Sequence, residues 1–201
     1  MRALAALAVT LAVAACNAEP TSSTQTTSSE SSTAATPQPT TTNTITAEGW
    51  GLLHVGMTRA EVTAAVGDTS TPNAATEPGS TCSLYHPANA PDGLFVMLNS
   101  DRLTSITLRT NTTLKTDRGF GIGDTAAAIK AAYGASAQSM PHRYVEGGEY
   151  ITVWTVGAPA TATTFVQNPT ARGIRYETDA HGIVTSVHAG GDSIQNVEGC
   201  S

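Results

Sequence analysis

Leu53-His54-Val55-Gly56-Met57-Thr58-Arg59-Ala60-Glu61-Val62-Thr63-Ala64-Ala65-Val66-Gly67 recurs at a fixed offset as Phe120-Gly121-Ile122-Gly123-Asp124-Thr125-Ala126-Ala127-Ala128-Ile129-Lys130-Ala131-Ala132-Tyr133-Gly134. An apolar residue, Gly, Thr, Val/Ile, Val/Tyr and a closing Gly all fall in register. The spacing predicts a short helix in each copy. Thr58 is an N-cap, Glu61 three residues on completes a capping box, and Met57 with Val62 occupy the positions of a hydrophobic staple. Gly67 then ends the helix as a left-handed C′ residue. In the second copy Thr125, or Asp124, caps without the Glu. Val62 and Val66, and likewise Ile129 and Tyr133, lie one turn apart and define the buried face.

A two-turn helix is marginal alone, so each must pack its apolar stripe on a sheet. Downstream of the first copy, Cys82 to His86 reads as a strand, and Gly93 to Leu98 turns through Asn99-Ser100-Asp101-Arg102 into Leu103 to Leu108. Downstream of the second, Tyr150 to Val156 precedes Gly173 to Thr178, an Asp179-Ala180-His181-Gly182 turn, and Ile183 to His188. β-Branched enrichment and Asp/Gly turns make both pairs hairpins. The expected fold is therefore α+β: two tandem modules, each a helix plus a three-stranded antiparallel sheet, over residues 47–115 and 116–201. They differ mainly in the longer Ala/Thr/Pro-rich connection from Gly157 to Arg172.

The stretch before the repeat is of another kind. Residues 1–15 hold one charge, Arg2, and an Ala/Leu/Val run too short to span a bilayer, ending in Val13-Ala14-Ala15-Cys16. This reads as a lipoprotein signal peptide with Cys16 as the lipid-attachment (palmitate) residue, which makes the membrane a partner through the anchor. Asn17 favours the outer membrane, facing the periplasm. Residues 16–46 form a Ser/Thr/Pro-rich tether with too little apolar surface to fold, spanning roughly 30 Å by flexible-chain scaling.

Removing Arg2 from ten basic side chains leaves nine against sixteen acidic, a formal −7. Such a balance argues against a nucleic-acid partner. Three Cys in an exported chain would leave one thiol over, but the lipid consumes Cys16, so Cys82 and Cys200 are expected to form a disulfide. His54, His86, His142, His181 and His188 are scattered without metal-ligand spacing, and no metal or other cofactor is expected. His54 reads as an outward strand residue and His181 as a turn residue. Ser193 in Gly190-Gly191-Asp192-Ser193 lacks the G-x-S-x-G elbow, and Gly119 to Gly123 lacks a phosphate-loop spacing.

The pattern Val55-Gly56-Met57-Thr58, Val62, Gly67 with Pro72 beyond resembles the SmpA/OmlA (BamE) module of outer-membrane lipoproteins, and two such modules in tandem resemble the β-lactamase inhibitor protein fold. BamE itself has one module. The resemblance implies a non-catalytic envelope lipoprotein that presents a protein-binding surface, as an accessory or scaffold. Its alternative is an inhibitor of a periplasmic or secreted hydrolase, with Trp50, Trp154 or Tyr144 as anchors. No constellation supports an enzyme.

Overall fold

A computed structural model describes residues 43–68, 80–159 and 165–200. In chain order the elements are β1 (Thr44–Thr46), β2 (Gly49–Trp50), β3 (Leu53–His54), α1 (Arg59–Val66), β4 (Cys82–Tyr85), β5 (Leu94–Asn99), β6 (Arg102–Leu108), β7 (Lys115–Thr116), α2 (Ala126–Tyr133), β8 (Gln138–Pro141), β9 (Glu149–Val156), β10 (Arg172–Thr178) and β11 (Val184–Gly190). The architecture is mostly β, with two short helices. One sheet has seven antiparallel strands in the order β4-β5-β6-β11-β10-β9-β8, and a smaller four-stranded sheet runs β3-β2-β1-β7.

This overturns the expectation of two helix-plus-three-strand modules. The third strand of each copy does not end a module. Instead β6 and β11 pair with each other, Leu108 opposite Val187 and Ser105 opposite Gly190, so that the two hairpins share one sheet. The physical reason is the cost of edges: two separate sheets would leave the N–H and C=O groups of both strands unpaired, and joining them removes two edges. The 115/116 module boundary falls inside β7, which pairs in parallel with β1 through Thr44–Lys115 and Ile45–Thr116. The chain is also already structured at Thr44, within the stretch assigned to the tether, and Ile45 is fully buried. An added strand, β8, forms an outer edge beside β9.

The repeated stretches do share their local contacts. In α1 the Thr58 Oγ1 accepts from the Glu61 N–H at 3.3 Å, and the Glu61 carboxylate accepts from the Thr58 N–H at 2.7 Å. In α2 Thr125 Oγ1 accepts from the Ala128 N–H at 3.2 Å. Asp124 does not cap; it accepts from the Gly121 N–H at 2.7 Å and pairs with Lys115 at 2.6 Å. Each helix start is stitched to the beginning of the last strand of its copy. Gly56 donates to the Leu103 carbonyl and Arg59 N–H to that of Asp101; Gly123 donates to Val184 and Ala126 N–H to Gly182. Gly67 and Gly134 both take positive φ, 79° and 55°, but their ψ values of 165° and −132° lie outside the left-handed helical well.

Val62, Val66 and Ile129 are buried in one apolar cluster with Leu94, Val96, Ile106, Leu108, Ile174 and Val187 on the covered face of the large sheet, together with Ile45 and Leu53 of the small sheet. Tyr133 is only half-buried, against the expectation. Its hydroxyl reaches that of buried Tyr176 at 3.2 Å, and a ring-edge position keeps that polar end partnered. Cys16 and Pro72 lie outside the described residues.

Candidate functional site

Strand alternation sends every second side chain of the seven-stranded sheet to the face away from the helices. The pairing register lines these up in rows. Gln138, Thr152, Arg175, His188, Thr107 and Phe95 stand side by side across β8, β9, β10, β11, β6 and β5. A neighbouring row holds Met140, Tyr150, Glu177 and Ser186. This face is therefore polar at its centre, whereas the opposite face is mainly apolar, its aliphatic side chains joined by buried Tyr85 and Tyr176.

The C-terminal residues cross this open face. After β11 the chain makes a 3-10 turn over Asp192–Gln195, whose Ile194 packs with Trp154, Val166 and Ala171. Gln195 fastens the turn to the connection after β9 by accepting from the Val166 N–H at 2.8 Å and donating to the Val166 carbonyl at 3.0 Å. Asn196 to Gly199 then run to a disulfide between Cys200 and Cys82, at the edge strand β4. The tail forms a strap, and Asn196, Val197 and Glu198 line a cavity on each side of it.

Beneath the strap lies a cluster of charges. Arg175 is 3% exposed. Its Nη1 donates to the Ile194 carbonyl at 3.1 Å, its guanidinium sits 3.6 Å above the Tyr150 ring centroid, and its Nη2 is 3.6 Å from Glu177 Oε1. Glu177 Oε1 also faces His188 Nε2 at 3.3 Å, and Oε2 faces His142 Nε2 at 3.9 Å. His142 stacks on Tyr150 with centroids 4.3 Å apart. Burial works to raise the Glu177 carboxyl, but the hydrogen bond and charge of His188, followed by Arg175 and His142, outweigh it and hold the group below the usual carboxylate range. Burial lowers Arg175, opposed by Glu177 and Tyr150.

Ser186, His188 and Glu177 meet, yet Ser186 is not placed for activation by the pair. A relay needs hydroxyl and acid on opposite ring nitrogens, whereas Ser186 Oγ, at 3.1 Å, and Glu177 share Nε2. The hydroxyl on Nδ1, at 3.0 Å, is that of Thr107, which is 3% exposed. Ser186 Oγ moreover donates to the Leu108 carbonyl at 3.1 Å. Among the described residues, no group of three or more His, Cys, Asp or Glu side chains is placed to hold a metal ion.

The cavity on the β4–β6 side of the strap, about 340 Å³, is lined by Thr107, Glu177, His188 and Ser193 among others. The one on the β8–β9 side, about 480 Å³, has walls of Met140, Tyr150, Trp154 and Phe165, with Arg143 and Arg175 contributing charge. Met140 and Phe165 are each 57% exposed, and Tyr144, which follows Arg143, is 59% exposed.

Of the residues singled out in the sequence, Cys82 and Cys200 end the strap, and Thr58 and Thr125 cap helices on the covered side, away from this site. Ser193 lies in the 3-10 turn, its hydroxyl buried without a partner among the described residues. His54 is an exposed strand residue and His181 an exposed turn residue. His86 Nδ1 meets the Leu94 carbonyl at 2.7 Å. Of the three aromatic anchors, Trp154 is buried and Trp50 half-buried; Tyr144 alone projects. Sequence reading missed the Arg175–Glu177–His188–His142 cluster. Its available signal was the i, i+2 placement of Arg175/Glu177 and Ser186/His188 on two strands joined by one tight turn. The chain matches no family model, no curated protein and no solved structure. No helix among the described residues is long and apolar enough to cross a membrane.

Proposed function

We propose that this chain is a non-catalytic lipoprotein of the bacterial envelope, held by lipid on Cys16 at the outer membrane, that presents the open sheet face to a protein partner in the periplasm. The observation that carries the reading is the rim of Met140 and Phe165, large apolar side chains left exposed around a cavity on a face whose centre is polar, with exposed Tyr144 following Arg143 of that rim. Exposed aromatic and Met side chains beside an Arg are the composition of interface centres. The motif resemblance to SmpA/OmlA lipoproteins and the lipid signal support the location. The polar cluster supports a structural role, because its members hold one another under the strap.

Photo-crosslinking in intact cells tests this. A photoreactive residue in place of Met140 or Phe165 should give one discrete adduct, a reporter in place of His54 should give none, and Cys16→Ser should move the protein out of the membrane fraction. Identical adduct patterns from all three positions, or unchanged fractionation of Cys16→Ser, would overturn the reading.

A further inference from the structure

The strap has a firm root and a free run. At the root, Gln195 is bonded to Val166, the Ile194 carbonyl accepts from Arg175, and Ile194 packs with Trp154, Val166 and Ala171. From Asn196 onwards the hydrogen bonds among the described residues stay within the tail: Asn196 N–H donates to the Ser193 carbonyl at 3.0 Å and Gly199 N–H to the Asn196 carbonyl at 3.3 Å. The next residue fixed to another element is Cys200, through its disulfide to Cys82. Both cysteines are half-buried, and Cys82 opens the edge strand β4, so the bond lies at the margin of the sheet and outside the apolar cluster. Between these two points the tail divides what would otherwise be one trough, since Asn196, Val197 and Glu198 line the cavities of about 340 Å³ and 480 Å³ on either side. Met97 stands on this open face, opposite Leu84 of β4 and Ser105 of β6, and is 5% exposed although it lies outside the apolar cluster of the covered face. Gly199 passes over the same row: a Cβ placed on it would lie 3.8 Å from Leu84 Cδ2.

We propose that the strap is a redox-released cover: with Cys82 and Cys200 bonded it closes the open face, and their reduction frees residues 196–200 to swing out from Gln195 and joins the two cavities into one trough. The reductant is a dithiol. One of its thiolates attacks a sulfur of the bond, forming a mixed disulfide and expelling the other cysteine as a thiolate that takes up a proton; its second thiol then displaces the first protein sulfur, so the dithiol becomes a disulfide and Cys82 and Cys200 become thiols. Release follows because the freed end regains chain entropy against half-buried contacts alone, while the sheet ladders and the apolar cluster do not depend on the bond. The inference concerns the cover itself and holds whatever the open face binds.

Two measurements on the full-length Cys16→Ser protein test this. In the first, dithiothreitol is added without denaturant, and thiol alkylation, circular dichroism and hydrogen exchange are followed. Both cysteines should become alkylated with the spectrum kept, and peptides spanning Asn196 to Gly199 should lose protection while those of β10 and β11 keep theirs. In the second, methionine oxidation by peroxide is compared between the oxidised protein and the protein carrying Cys82→Ser and Cys200→Ser, neither of which has a free thiol. Met97 should oxidise at least about tenfold faster in the serine variant, because a local opening no longer limits access to it. Met57, half-buried beside α1 and packed against the apolar cluster, should oxidise at an unchanged rate and so reports any general loosening. Deleting residues 196–201 together with Cys82→Ser should give the same Met97 rate as the double serine variant. Should that variant fail to fold, the dithiothreitol measurement on the native protein decides the question. A disulfide that resists dithiothreitol until urea unfolds the chain, strap protection unchanged after reduction, equal acceleration of Met57 and Met97, or a Met97 that only the deletion exposes would each overturn the proposal.

Discussion

Replacing Cys82 and Cys200 together by serine should cost this protein several kcal/mol, and the size of the loss follows from where the bond sits. It joins residues 118 apart in sequence. For a loop that long the chain-entropy relation gives about 4.9 kcal/mol at 25 °C, released to the unfolded chain when the link is absent. The native state recovers part of this. Asn196 and Glu198 are exposed and Val197, Gly199 and Cys200 only half-buried, so an untied tail gains freedom worth about 1 kcal/mol per residue against modest contacts. A net loss of about 2 to 5 kcal/mol follows, or a drop in Tm of about 4 to 20 °C for a folded region of this size. The assay is urea unfolding of the oxidised protein and of the double serine variant, followed by far-ultraviolet circular dichroism. The m-value should rise as well, since an uncrosslinked chain exposes more surface. A stability change below about 1 kcal/mol with an unchanged m-value would refute the reasoning, because it would show the unfolded chain gaining nothing from the lost link.

Thr58→Ala removes the acceptor for the Glu61 N–H and disables half of the capping box, and should cost about 1 kcal/mol in the same unfolding assay. Glu177→Gln should alter the pH dependence. A carboxyl held low in the folded state contributes stability that is complete above its ordinary value of 4.5 and is lost as pH falls through the lower folded value. The stability advantage of the native protein over Glu177→Gln should therefore shrink as pH is lowered from 5 towards 3, as read by thermal midpoints along a pH series; a constant difference would exclude the ionised Glu177 as its source.

Local chemistry was legible in the sequence where a few neighbouring residues settle it. The Thr58/Glu61 box, the Thr125 cap and the Asn99 to Arg102 turn each depend on residues within four positions, and the turn has Ser100 and Asp101 at φ 48° and 63° as a tight hairpin requires. Pairing across the molecule left no comparable trace. Nothing near β6 or β11 specifies that they meet, because antiparallel registry between distant strands is chosen by the whole core. β8 reads Gln-Ser-Met-Pro, with no alternation to betray an edge strand, and β1, β2, β3 and β7 are two or three residues each, too short to carry a period. The charged cluster was hidden for a related reason. His142 lies in the turn after β8 while Arg175, Glu177 and His188 lie on β10 and β11, so their meeting needs the sheet order as well as the hairpin register.

The pairing of β1 has a mechanical meaning. Were the chain anchored at Cys16 as proposed, tension would reach the domain at Thr44, the first residue of a three-residue strand held by two register pairs to β2 and two to β7. Those few hydrogen bonds and the buried Ile45 side chain form the grip, while the seven-stranded sheet behind them has far longer ladders. Under load the N-terminal strands should peel first, and releasing residues 43–54 would pay out about 40 Å of extended chain. The open face, its strap and the two cavities beside it lie on other strands, so a domain anchored as proposed would lengthen its connection while leaving that face intact.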